Sequence, residues 1–397
     1  MSTPCGSRRN FIKTAAVAGG ALTLAGNAAN ATVDEMPSVT LGRTGQKVSR
    51  LGMGTSWTVQ PSFVQAAILS GVGYIDSSET YENGNSESTL GAVLERTGKR
   101  KDVYLVTKNA GFRENGDPAV FEQRLNKSLE RLKTDYVDAY FLHGIKGDQI
   151  PVLFDENVKN AFEKLRKAGK IRFAGLSCHD ARLVDVVEAA AKCGWIDQIM
   201  IQYNFRTMNA DDLRRAVDKA SEANIGLVAM KTQGGSEPFA NDAARKETRL
   251  TGLLEKGFSV PQAAIKAVLA DERIQVVVSE MTNRDQLKEN SAAVTNPLSP
   301  KEARLLEEHR AKTAHLYCQG CGHNCEPGTG GARVADVLRH LRYHEAYGKR
   351  EQARELYQAL PVLERTFNDQ ALYAAEAACP HGLPVAQLLK TAERLLS

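Results

Sequence analysis

Four residues carry the clearest chemical promise: Asp76, Tyr81, Lys108 and His143. An acid and a phenol stand five positions apart in Gly73-Tyr74-Ile75-Asp76-Ser77-Ser78-Glu79-Thr80-Tyr81, and the lysine and histidine follow on later segments. Tyrosine is a poor acid at neutral pH, with an ordinary pKa of about 10, so a working donor needs a cation or hydrogen-bond partner to stabilise the phenolate. Lys108 supplies that charge and Asp76 can hold the lysine. Together they suit proton donation to a carbonyl oxygen. Taken singly, each has a plainer reading: Asp76 as a helix cap, Tyr81 as a loop aromatic, Lys108 as a solvated strand end, His143 as a core histidine. The set acts only if the fold brings it to one place.

The elements that could do so recur along the chain. Short β-branched runs at residues 51–55, 74–76, 103–108, 137–143, 171–178, 198–202, 226–231 and 275–279 read as strands. Amphipathic segments at 120–132, 158–167, 181–193, 210–223 and 260–270 read as helices, with apolar residues three or four apart. Eight strand–helix units over about 250 residues predict an α/β fold of the closed (β/α)8 TIM-barrel type, not an open sheet. Asp76, Lys108 and His143 each end an expected strand, and Tyr81 lies just beyond one. Strand C-terminal ends share one mouth of such a barrel, which is where its chemistry sits.

At this point the chain resembles the aldo/keto reductase family, over about residues 39–294. Leu41-Gly42-Arg43-Thr44-Gly45 and Val48-Ser49-Arg50-Leu51-Gly52-Met53-Gly54-Thr55 look like that family's opening hairpin and first strand. Asp76 with Tyr81, then Ser86-Glu87 and Leu90-Gly91, is similar to its second strand and loop. Val106-Thr107-Lys108, Asp135-Tyr136-Val137-Asp138 with Phe141-Leu142-His143, and Gly169-Lys170-Ile171 with Gly175-Leu176-Ser177 continue the likeness. The resemblance implies that Tyr81 is the general acid, that Lys108 lowers its pKa, that Asp76 anchors Lys108 and that His143 orients the carbonyl. A nicotinamide cofactor would deliver hydride, with Gly54, Thr55, Ser177, Lys231, Ser279, Gln286 and Asn290 binding it.

The likeness thins where the family grips that cofactor. Met200 stands where a glutamine usually holds the carboxamide, and Cys178 replaces an asparagine. Glu280 and Gln286 stand where many members place basic residues for the 2′-phosphate of NADP. A carboxylate repels a phosphate, so NAD in place of NADP, or weak binding, is implied. Arg284 and Lys288 are candidates to compensate in part. The choice between NADH and NADPH stays open, as does substrate identity, which would depend on loops at 111–117, 144–154 and 234–251.

Past Pro300 the composition changes. A helix over residues 300–314 leads into Cys318-Gln319-Gly320-Cys321-Gly322-His323-Asn324-Cys325, and Cys379-Pro380-His381-Gly382 follows later. These hold four of the seven cysteines. Cys325 followed by Val334 and Leu338 is echoed by Cys379 followed by Val385 and Leu389, and the two halves resemble the paired motifs of a bacterial-type ferredoxin domain. Counting back from Cys379 meets Ala375 and Leu372, so the second motif lacks its first two ligands. Cys318, Cys321, Cys325 and Cys379 would then hold a single 4Fe–4S cluster. Zinc, with His323 or His381 as alternative ligands, and disulfides remain competing readings. Between the motifs, residues 340–363 read as a charged helical spacer whose tyrosines pack the helical domain on the barrel.

The first 31 residues read as an export signal. Arg8-Arg9 with Phe11 and Lys13 precedes a short Gly- and Ala-rich apolar run ending at Ala29-Asn30-Ala31, and resembles a twin-arginine signal. The run is too short for a membrane anchor. The expected organisation is residues 1–31 as signal, 39–297 as barrel and 298–397 as a helical ferredoxin-like domain, with a periplasmic destination reached through the twin-arginine export machinery. With a net charge of only +4 on 397 residues and basic residues spread along the chain, nothing argues for a nucleic-acid surface. The expected function is oxidoreduction of a small carbonyl or alcohol, with electrons passing between a nicotinamide and the cluster or an external electron-transfer partner. The competing class is a non-catalytic redox-sensing or interaction protein on a retired barrel.

Overall fold

The computed structural model describes residues 36–57, 60–112, 117–233 and 259–397. The leader at 1–31, the loop at 234–251 and most of the loop at 111–117 therefore lie outside the described residues. The chain opens with an antiparallel hairpin, β1 (Ser38–Thr40) on β2 (Lys47–Ser49). Gly42 turns it in a left-handed conformation, φ 43°, against the backbone of Gly226, where a side chain would collide. Leu41 and Val48 from the hairpin join a core with Tyr74, Phe141 and Met200, which plugs the bottom of the barrel.

Eight parallel strands follow: β3 (Leu51–Gly54), β4 (Tyr74–Asp76), β5 (Tyr104–Asn109), β6 (Val137–Leu142), β7 (Ile171–Cys178), β8 (Gln198–Gln202), β9 (Gly226–Met230) and β10 (Val276–Glu280). Each pairs with the next and β10 closes on β3, so the fold is a closed (β/α)8 barrel. Strands such as β5 and β6 are buried at every position because one face meets the barrel interior and the other the helices. The outer layer is α1 (Pro61–Leu69), α2 (Asn85–Thr97), α3 (Pro118–Leu132), α4 (Glu156–Lys167), α5 (Leu183–Cys193), α6 (Asp211–Glu222), α7 (Val260–Leu269) and α8 (Arg284–Thr295). Their starts are chemically marked: Asp117 and Asp155 accept backbone N–H bonds, and Ser259 with Gln262 forms a reciprocal cap.

The remaining helices are α9 (Pro300–Lys312), α10 (Gly322–Cys325), α11 (Val334–Glu345), α12 (Arg350–Gln358), α13 (Val362–Arg365), α14 (Asp369–Ala377) and α15 (Val385–Leu396). Of these, α11, α12, α14 and α15 enclose a second core of Val334, Leu338, Leu341, Tyr357, Leu372 and Leu389, whereas α9 packs on the barrel through Leu306 against Phe205 and Ala263. This helical part is fastened to the barrel through polar groups. Arg333 pairs with Asp180 just past β7, Arg339 donates to the His179 carbonyl, and Gln202 at the end of β8 donates to the Gln319 carbonyl. Among the described residues no helix is long and apolar enough to cross a membrane.

Candidate active site

The register of the barrel gathers the chemistry. Gly54 stands opposite Asp76 and opposite Glu280, and Asp76 opposite Val106, so the ends of β10, β3, β4 and β5 lie side by side. Lys108 is the penultimate residue of β5, points into the barrel and is 1% exposed. Its Nζ lies 2.7 Å from each Asp76 carboxylate oxygen, donates to the Ser77 carbonyl at 2.7 Å, and donates to Tyr81 Oη at 3.0 Å. His143 follows β6. Its Nδ1 lies 3.0 Å from Ser78 Oγ, and its ring meets the Tyr81 ring edge-on at 5.5 Å. All four residues thus surround one point at the C-terminal mouth.

Tyr81 is turned inward by an unusual backbone. Glu82, Asn83 and Gly84 follow it with φ of 48°, 54° and 87°, in the left-handed region that costs about 1–2 kcal/mol per non-glycine residue. That strain sits beside the Tyr81 phenol, and backbone strain of this kind clusters at functional loops. Burial pushes the Tyr81 phenol well above the usual tyrosine value, and Asp76, Glu280 and Tyr343 add to the rise. Lys108 Nζ, 3.0 Å away, is the cation expected to favour the phenolate, and the net direction is nevertheless upward because the phenol is desolvated. Tyr81 is therefore protonated at neutral pH. Burial likewise raises the Asp76 carboxyl and lowers the Lys108 amine, each opposed by its partner's charge.

The residues expected to bind a nicotinamide occupy the same mouth unevenly. Gly54 ends β3 below the Glu280 carboxylate. Thr55 Oγ1 donates to the Asp76 carbonyl at 2.9 Å and accepts from Ser86 at 2.6 Å, making it a brace for the acid strand. Ser177 Oγ accepts from Gly144 N at 2.9 Å. Ser279 donates to Gln233 at 2.7 Å and accepts from Asn290 at 3.0 Å, a buried triad completed by Gln233 donating to Asn290 at 3.1 Å. Gln286 is exposed, and its side chain accepts from Thr282 N at 2.8 Å. Glu280 accepts from Ser56 N, Ser56 Oγ and Trp57 N at 2.7–3.0 Å, which latches the loop after β3. Met200 is buried in the barrel interior.

Sequence reasoning missed what the helical part contributes. Tyr343 on α11 accepts from Lys231 Nζ at 2.6 Å, and its ring lies against Trp57 and Tyr347. Trp57 Nε1 in turn donates to Gln352 on α12 at 2.7 Å. Tyr343 was expected to pack; it also enters the mouth, while Tyr357 alone belongs wholly to the helical core. The only local signal was aromatic spacing on a charged helix, which packing explains equally well.

Cys318 and Cys321 flank Gln319, whose carbonyl accepts from Gln202 at the end of β8. Burial raises the Cys325 thiol to about 12 and Cys321 to about 11. Cys321 Sγ also lies 3.6 Å from His381 Nε2. All six cysteines among the described residues are free thiols. Among the same residues no three His, Cys, Asp or Glu side chains are grouped as ligands of one metal ion.

The model of the aldo/keto reductase family matches residues 56–311. The chain belongs to that family. This aldo/keto reductase is an oxidoreductase, in keeping with its relatives. An uncharacterized oxidoreductase of Bacillus subtilis is 27% identical over 302 residues, covering 68% of this chain and 95% of that protein. L-galactose dehydrogenase of Arabidopsis thaliana is 27% identical over 279 residues, covering 64% and 87%. The holo form of an aldo-keto reductase from Bacillus halodurans superposes with a TM-score of 0.58 at 25% identity, over 72% of this chain and 99% of that one. An aldo/keto reductase from Klebsiella pneumoniae in complex with NADP and acetate shares the fold, with a TM-score of 0.54 over 69% of this chain.

Proposed function

We propose that this aldo/keto reductase acts on a small carbonyl or alcohol, with Tyr81 as general acid and base, a nicotinamide as hydride carrier and a 4Fe–4S cluster on Cys318, Cys321, Cys325 and Cys379. The observation that carries the chemistry is Lys108 Nζ at 3.0 Å from Tyr81 Oη while bound to Asp76. A phenol held protonated by burial gives its proton to the substrate oxygen, and the adjacent ammonium stabilises the phenolate left behind. His143, oriented by Ser78, hydrogen-bonds the same oxygen, and the buried surroundings exclude water. Substitution Tyr81→Phe is expected to lower turnover by about 10²–10⁴-fold with the fold retained, measured on a panel of small aldehydes and ketones. Native turnover in that variant would end the assignment.

The mouth fits a nicotinamide dinucleotide in its donor chemistry. Ser177 Oγ accepts from Gly144 and keeps its own proton to donate, and Ser279, Asn290 and Lys231 stand on neighbouring strand ends. Glu280, which accepts from Ser56 and Trp57, stands beside this set where a basic residue would hold a 2′-phosphate, and that favours the dinucleotide lacking it. When bound, that group supplies hydride. Nucleotide released on denaturing the purified protein tests the point.

The cluster is favoured over zinc by the sequence spacing of Cys318, Cys321 and Cys325 with a later Cys379-Pro380 pair, which resembles that of a bacterial-type ferredoxin motif. When bound, the cluster supplies one-electron transfer. Anaerobic purification should yield about four iron and four sulfide per chain, reduced in Cys321→Ser; stoichiometric zinc without sulfide would sink this part. Arg8-Arg9 and the small-residue run before Ala31 support export to the periplasm, with the cluster inserted before transport. Replacing Arg8 and Arg9 by lysine should leave the protein in the cytoplasmic fraction.

A further inference from the structure

Ser78 joins Tyr81 to His143. Its carbonyl accepts from Tyr81 N at 3.1 Å, and its Oγ lies 3.0 Å from His143 Nδ1. The strand between them fixes that spacing. Ser77 N donates to the Val106 carbonyl at 2.9 Å on one side of β5, and His143 N donates to the Asn109 carbonyl at 3.0 Å on the other. Both segments therefore leave their strands pinned to β5, so the contact is set by barrel register and not by a loop. Ser78 is at 0% exposure, and a hydroxyl shut away from water must find its partners within the protein.

The partners of Ser78 Oγ decide where its hydrogen goes. The backbone N–H of Thr80 can only donate, and it reaches Ser78 Oγ at 3.3 Å. The Thr80 hydroxyl lies 3.1 Å from the same oxygen on an exposed residue, where solvent satisfies its lone pairs while its hydrogen turns inward. Two donors then fill the acceptor sites of Ser78 Oγ, and the serine's own hydrogen is left for His143 Nδ1. An uncharged imidazole carries hydrogen on one nitrogen only, and the bond made at one nitrogen sets the state of the other. We propose that Ser78 is a positioning residue that holds His143 in its Nε2–H tautomer, so that the imidazole donates to the substrate carbonyl oxygen and leaves proton transfer to Tyr81. The proposal rests on the reading that Tyr81 and His143 meet that oxygen. A carbonyl oxygen only accepts, so the ring nitrogen facing it must carry hydrogen. The opposite tautomer would set a lone pair against the oxygen as negative charge builds there.

The test reads the tautomer in the full chain labelled with 15N-histidine, by long-range proton–nitrogen correlation NMR without substrate at mildly alkaline pH. The signal is assigned by its loss in His143→Gln. The native protein is expected to carry the His143 hydrogen on Nε2 alone. Ser78→Ala should show both tautomers and lose turnover of small aldehydes about ten-fold, the worth of one such hydrogen bond. Ser78→Thr keeps the hydroxyl and should restore both the Nε2–H signal and the turnover. Hydrogen on Nδ1 in the native protein, an unchanged tautomer or unchanged turnover in Ser78→Ala, or a tautomer mixture in folded Ser78→Thr would each overturn the proposal. Native turnover in His143→Gln would instead remove the reading of the site on which the proposal rests. The tautomer is measured without substrate, so the two failures are distinguishable.

Discussion

Lys108 is the buried charge that ties Asp76 to Tyr81. It lies at 1% exposure between a carboxylate, a backbone carbonyl and a phenol, so its ammonium replaces lost water with three directed bonds. Removing it leaves Asp76 buried without a counter-charge, a loss of about 3–5 kcal/mol for such pairs. Lys108→Met is therefore expected to unfold at lower temperature and to lose turnover. Adding Asp76→Asn should recover most of the stability and none of the turnover. Calorimetry with an activity assay on the single and double variants checks this, and equal stability of the two would contradict it. Asp76, Tyr81, Lys108 and His143 were legible in the sequence because each ends or follows a strand. The direction of the Tyr81 shift was not, because burial is a property of the packed mouth.

At the scale of elements, α9 is locked to the loop after β8 by Arg206. Its guanidinium donates to Thr313 at 2.8 Å, stacks 3.8 Å over Tyr317 and lies 3.4 Å from His309 Nε2. Burial and Arg206 together hold His309 down at about 4. The folded state therefore refuses a proton that the unfolded chain, with an ordinary histidine near 6.5, accepts. Stability from this group is present above pH 6.5 and is lost as pH falls towards 4, on the order of 3 kcal/mol. His309→Gln should flatten the acid side of the stability curve, seen in thermal melts at pH 7 and 4.5. An acid loss equal to that of the native protein would contradict the assignment. The strands themselves were readable, since runs buried on both faces are apolar throughout; the ends shifted by a residue, as at Asn109 and Glu280, because pairing with neighbours sets where a strand stops.

The whole molecule places a helical cap across the barrel mouth. Arg333 binds Asp180 and Asp336, Trp57 reaches Gln352, and Lys231 reaches Tyr343. Asp180 is 8% exposed, so losing its charge removes a largely desolvated tie and leaves Arg333 partly unpaired. Asp180→Asn is expected to loosen α11, with faster amide exchange over residues 334–345 and a stability loss of a few kcal/mol. Unaltered exchange there would show that the other ties hold the cap alone.

The sequence by itself determined the barrel, through eight strand–helix units, and the acid set, because each member is marked by its place relative to a strand. It also displayed four cysteines in a recognisable spacing. Only the tertiary structure decided that α11 lies over the mouth and that Tyr343 meets Lys231, 112 residues away in the chain. A contact closed over that distance leaves no local pattern: nothing near Lys231 anticipates a phenol, and nothing near Tyr343 anticipates an ammonium. The partner is chosen by how the helical core docks, and docking depends on the polar ties of Arg333, Trp57 and Gln202 acting together.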